Sequence, residues 1–129
     1  MLCHLALGRR HLQWHRRLLE LGIPTAAATD NIPYDPFFTL WVMTARQERT
    51  TGQVLGQGQC VDVESALRLL TVAGARLTFD EDKKGPLIAG YLADMAVLSE
   101  SPLACGAAGL RGIRADCSSV GGRIVHARA

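Results

Sequence analysis

The sequence predicts an α/β chain whose β character is gathered at its C-terminal end. Three observations carry this. Apolar residues recur at helical spacing in three stretches before residue 80. A short uncharged run, Ile23 to Thr29 (IPTAAAT), lies between the first two and suits a strand buried on both faces. Past Lys84 the chain changes to brief apolar runs separated by glycines, the pattern of short strands and tight turns.

In chain order, a helix is expected from about Arg9 to Leu21. Trp14, Leu18 and Leu21 share one face, and Arg10 and Arg17 face solvent. Gly22 and Pro24 then stop it. Asp35 is a natural N-cap and Pro36 a natural first residue for a second helix, running to about Glu48. Phe37, Leu40, Trp41 and Thr44 form its buried stripe, with Arg46 and Arg49 in water. Residues 50–59 read as a Gly-rich loop. Asp62 caps a third helix to Ala73, with Val63, Ala66, Leu67 and Leu70 inward and Glu64 placed to pair with Arg68. Gly74 interrupts it, and residues 75–79 add a short helical piece. Beyond the polar connector 80–84, Leu87-Ile88, Ala93 to Leu98, Arg111 to Cys117 and Arg123 to His126 are expected strands. Gly121-Gly122 makes the final hairpin.

The 129-residue chain is 48% hydrophobic and 20% charged, enough apolar material for a core. Its net charge of +2 argues against a nucleic-acid partner. Arg9, Arg10, Arg16 and Arg17 cluster around Trp14, and a solvated helix face explains them. No apolar run is long enough to cross a membrane, and the apolar stretch of the N-terminus precedes its arginines, opposite to a secretory leader. The expected location is the cytoplasm. Cys3, Cys60, Cys105 and Cys117 are widely spaced and read as free, mostly buried thiols.

Few residues suggest chemistry by themselves. Asp30 ends the 23–29 run, either as a functional carboxylate at a strand end or as an Asx-turn residue bonding its own loop. His4, His11 and His15 share a face at spacings of seven and four. No H-E-x-x-H glutamate accompanies them, so a solvated or snorkelling helix face is the reading. His126 reads as structural. Gly52, Gly56 and Gly58 lack the Lys-Ser/Thr of a phosphate loop.

Five segments in order resemble the metal-dependent amidohydrolases, in particular the amidohydrolase family 3-like members. KGPLIAGYLADMAVL (84–98) is similar to the G-x-L-x-x-G-x-x-A-D-x-x-V-L segment that follows the catalytic barrel of that family. GIPTAAATDNIPYDP (22–36) resembles its last barrel strand, which ends in Asp before a Pro-containing loop. LWVMTAR and residues 63–75 resemble the helices that follow, and Ser118 to Val125 its closing T-x-V-x-G-x-x-V hairpin.

The resemblance implies an α/β fold of a particular kind. Residues 1–83 would be the C-terminal βα elements of a partial (β/α)8 barrel, and residues 84–129 C-terminal strands of a small β-sandwich. A whole barrel takes about 200 residues or more, so most of one is not here. The implied parent activity is hydrolysis of non-peptide amide C–N bonds of small molecules at a divalent metal, zinc. Asp30 matches the position of the family's metal ligand that also takes the proton from the attacking water. The His-x-His pair, the central Lys or Glu and the two further His have no counterpart. The chain alone is therefore expected to bind no metal and to be inactive. The chain is expected to be a homo-oligomer, pairing either through an unpaired 23–28 strand or through exchange of the β tail. The alternative is a non-catalytic remnant that self-associates or binds a partner.

Overall fold

A computed structural model of the chain describes residues 15–29 and 34–129. Trp14, His4, His11, Cys3, Arg9, Arg10 and Asp30 lie outside the described residues.

Helix α1 spans His15–Glu20. Gly22 closes it at φ 66°, a left-handed value that glycine takes without strain, and donates to the Leu19 carbonyl at 3.0 Å. Helix α2 spans Pro36–Ala45, and the Asp35 carboxylate accepts the Phe37 N–H at 2.9 Å, as the Asp-Pro pair leads one to expect. The helix stops three residues before the expected Glu48. Arg46 turns left-handed (φ 53°), its N–H reaching the Val42 carbonyl at 3.1 Å. The chain then folds back on itself, Glu48 N–H to Gln53 O at 2.9 Å and Leu55 N–H to Arg46 O at 2.8 Å. Within that turn the Glu48 carboxylate accepts the amides of Thr50 and Thr51, which hold its pKa at about 2.

Helix α3 spans Val63–Leu70, and Asp62 caps it by accepting the Ser65 N–H at 2.8 Å. The amide of Ser65, then its hydroxyl, hold the Asp62 carboxyl below its ordinary 3.8. A carboxyl with a depressed folded pKa stabilises the fold above its unfolded value and loses that contribution as pH falls through the folded one. Asp62→Ala is expected to cost about 1 kcal/mol in urea melts at neutral pH. The difference from the native chain should shrink below pH 3.8. An equal difference at every pH would remove the carboxylate from the explanation.

The helix breaks at Thr71 rather than at Gly74. Thr71 leaves helical geometry (φ −118°, ψ −83°) while its hydroxyl donates back to the Leu67 carbonyl at 2.8 Å. Helix α4, Val72–Leu77, then contains Gly74. The connector crosses α4 closely: a Cβ on Gly85 would meet Val72 and Ala75 at 3.4 Å. Leu87-Ile88, expected as a strand, lies in a loop closed by Leu92 N–H to Lys83 O at 2.8 Å, and both side chains are exposed with no neighbouring strand among the described residues.

The sheet is antiparallel, in the order β1 (Met95–Leu98), β2 (Ala115–Val120), β3 (Arg123–Ala127). Met95 pairs with Ser119, which pairs with Ile124. Gly121 and Gly122 make the expected hairpin, both at positive φ. A four-residue helix, α5 (Gly106–Gly109), leads into a 3₁₀ turn at Leu110–Gly112 that occupies the start of the expected 111–117 strand, so β2 begins only at Ala115.

The buried core joins both ends of the chain. Leu40, Trp41 and Met43 of α2 pack with Val61, with Ala66 and Leu69 of α3, and with Leu110 and Ile113 of the tail. The Arg111 guanidinium lies 4.8 Å over the Trp41 ring. By contrast the sheet has no second layer among the described residues, and Met95, Val97, Ile124 and Val125 are exposed.

Two further expectations are corrected. Ile23 to Thr29 forms no strand. The run has neither turn nor bend, but among the described residues its one backbone bond to the fold beyond α1 is Ala27 N–H to Leu69 O at 3.0 Å. A strand exists only through a neighbouring strand, and none lies beside it among the described residues. Arg46, expected in water, is only 5% exposed.

Candidate functional site

The described residues enclose one notable cleft, about 310 Å³, between the extended run and the two flanking helices. Ala26, Ala27, Ala28 and Thr29 form one wall. Phe38, Thr39, Val42 and Met43 of α2 form another, because residues one turn apart on a helix face the same way. His15 of α1 closes it. The lining mixes apolar side chains with polar groups, Thr29, Thr39 and His15 among them.

His15 is the titratable group of this cleft. It was expected on a solvated or snorkelling face and is half-buried, and its Nδ1 is buried without a hydrogen-bond partner among the described residues. Burial first, and the positive charge of Arg46 second, push its imidazole below the ordinary 6.5. The ring is therefore neutral at pH 7, with one nitrogen free to accept and the other to donate. Arg46 is itself held from water: burial lowers its pKa, and its Nε donates to the Leu55 carbonyl at 3.1 Å.

Asp30, the sequence's candidate for metal and proton chemistry, lies outside the described residues. Thr29, the residue before it in the sequence, lines the cleft. The three histidines expected on one face are described only at His15. His126 is exposed on β3, its Nε2 3.2 Å from the Ala115 carbonyl. Cys60, Cys105 and Cys117 are free thiols. No group of three or more His, Cys, Asp or Glu able to hold a metal occurs among the described residues. His15 Nδ1 is a single donor, and a catalytic divalent ion generally takes three protein ligands. The described residues do not fit a metal centre by themselves.

Sequence reasoning passed over His15 and Arg46 as site features. The signal for His15 was present in its spacing from His11, but spacing does not say which face is covered. Nothing in a terminal-turn arginine announces burial.

Residues 8–126 match the model of the amidohydrolase family, and the chain belongs to that family. It is 27% identical over 118 residues to YtcJ of Bacillus subtilis (strain 168), which carries a provisional amidohydrolase name. It is 28% identical over 115 residues to the N-substituted formamide deformylase of Arthrobacter pascens. Each match covers 88% of this chain but only 22% and 21% of those relatives, so the chain spans about a fifth of their length. No solved structure matches it. No helix among the described residues is long and apolar enough to cross a membrane.

Proposed function

We propose that this chain carries one part of a centre that hydrolyses amide C–N bonds of small molecules, and that it does not turn over such substrates alone. The observation that carries the reading is the family match over residues 8–126 in a chain a fifth as long as its relatives. Residues 1–83 are the proposed counterpart of C-terminal barrel elements and residues 84–129 of strands from a small β-sandwich. In the family this chemistry uses a divalent metal, with zinc the proposed ion. Asp30 is the proposed ligand and proton acceptor. A carboxylate there takes a proton from the attacking water and returns it to the leaving amine. The cleft ending at Thr29, with Phe38 and Val42 beside the alanines, is the proposed place for the acyl or N-alkyl group of such a substrate. The proposed setting is the cytoplasm. We also infer a homo-oligomer, since Leu77, Phe79, Leu87, Ile88 and the sheet residues Val97 and Ile124 leave much apolar surface uncovered.

The test is an assay of N-substituted formamides and N-acyl amino acids with added Zn²⁺. No turnover is expected from the native chain. Turnover abolished by Asp30→Asn would overturn the inactivity while supporting the role of Asp30. Turnover untouched by that change would overturn both. A residue kept for chemistry should matter little to folding, so Asp30→Ala is expected to change stability by less than about 1 kcal/mol. A loss of several kcal/mol in urea would assign Asp30 to a buried network instead.

A further inference from the structure

Little holds helix α1 to the rest of the fold. None of its residues is fully buried. Among the described residues one hydrogen bond ties it to another element, Arg17 N–H to the Gln59 side-chain Oε1 at 3.2 Å. Arg16 and Arg17 pair with Glu20 on its exposed side, so those charges anchor it to nothing else. What remains is the half-buried pair His15 and Leu18, and His15 is the member that closes the cleft.

That hold suits one protonation state. A neutral imidazole can carry its proton on Nε2 and leave Nδ1 bare, whereas the cation carries a proton on both nitrogens. Nδ1 is buried with no partner among the described residues, so a docked cation would leave an N–H unpaired there. The surroundings do not compensate. The other residues that line the cleft, from the 26–29 run and from α2, are all uncharged. Arg46, at the end of α2, adds a second positive charge, and Cys60, after the 57–59 turn, acts on Arg46. Released from the core, the ring meets water at both nitrogens. We propose that α1 is a pH-sensitive latch, in which protonation of His15 releases the helix and opens the cleft that it closes. The latch goes beyond the proposed hydrolysis and does not depend on it. Its direction follows from linkage. A histidine held below 6.5 when docked takes its proton more readily once released. Docking therefore keeps its full strength above pH 6.5 and weakens as pH falls below it.

The native chain tests this without a substrate. Solvent exchange of the Arg17 amide, followed by NMR and corrected for its intrinsic pH dependence, reports the Gln59 bond that docks α1. From about pH 7.5 to about pH 5 the corrected exchange is expected to quicken by about fivefold or more, the effect of one unpaired buried donor. The amides of Ala66 and Leu69 in α3 should keep their protection over the same range. His15→Leu cannot take a proton and is expected to flatten the profile. His15→Gln, polar but not titrating, should flatten it too and guards against a misfolded leucine variant. His126→Gln, on β3, should leave the profile as in the native chain. Equal Arg17 exchange at both pH values would overturn the latch. So would a pH profile that survives in the His15 variants, or quickening of equal size at Ala66 and Leu69.

Discussion

Leu110→Ala is expected to destabilise the whole chain by about 2–5 kcal/mol. Leu110 is 0% exposed and belongs to the same buried cluster as Leu40, Trp41 and Met43 of α2. It comes from the C-terminal part of the chain, yet it fills the space between the front helices. Truncation to Ala removes apolar area and leaves a cavity that α2, tied by its Asp35 cap and Arg46 turn, has little freedom to close. Since one core serves both ends, urea should unfold helices and sheet together. The helical circular-dichroism signal and the amide exchange of β2 should give one midpoint, shifted downward together in the variant. Two separate midpoints, or a loss under about 1 kcal/mol, would show that the tail folds on its own.

Arg46→Met should follow at about 2–3 kcal/mol. Methionine matches the length of the arginine stem but cannot donate, so the Leu55 carbonyl loses the Nε hydrogen bond at 3.1 Å. Arg46 is also where α2 ends and the 47–54 turn begins, so that turn loosens with it. A second readout distinguishes loss of charge from loss of packing. Arg46 is the second cause, after burial, of the lowered His15 pKa. Removing that positive charge should raise the His15 titration midpoint toward 6.5, measured by NMR of the imidazole protons. An unmoved midpoint in a folded variant would mean that burial alone sets it.

The parts of the fold legible in the sequence are those whose cause is local. Asp35-Pro36 and Asp62 announce helix starts because a cap needs only its own next three residues. Gly121-Gly122 announces the hairpin because positive φ at both positions is a property of glycine itself. The misread parts depend on partners distant in sequence. Ile23 to Thr29 has the composition of a buried strand but no strand to pair with among the described residues. Leu87-Ile88 is apolar enough for a strand but is held in a loop by the Leu92–Lys83 bond. Thr71 breaks a helix through its hydroxyl, where Gly74 seemed the weaker residue on propensity. The same division holds at the site. Family membership was legible from the order of five weak motifs. The cleft was not, because His15, Ala26 and Val42 meet only through the packing of α1 and α2 around the extended run.

The Arg111 guanidinium stacked 4.8 Å over Trp41 also gives the protein an optical probe of its own assembly. Trp41 is buried, so its emission should be blue-shifted, and a cation on the ring face tunes its intensity. The tail supplies that cation. With Trp14→Phe removing the second indole, the fluorescence of Trp41 reads the seating of residues 110–113 on α2 in real time. Rapid-mixing refolding can then time the moment when the two ends of the chain first meet.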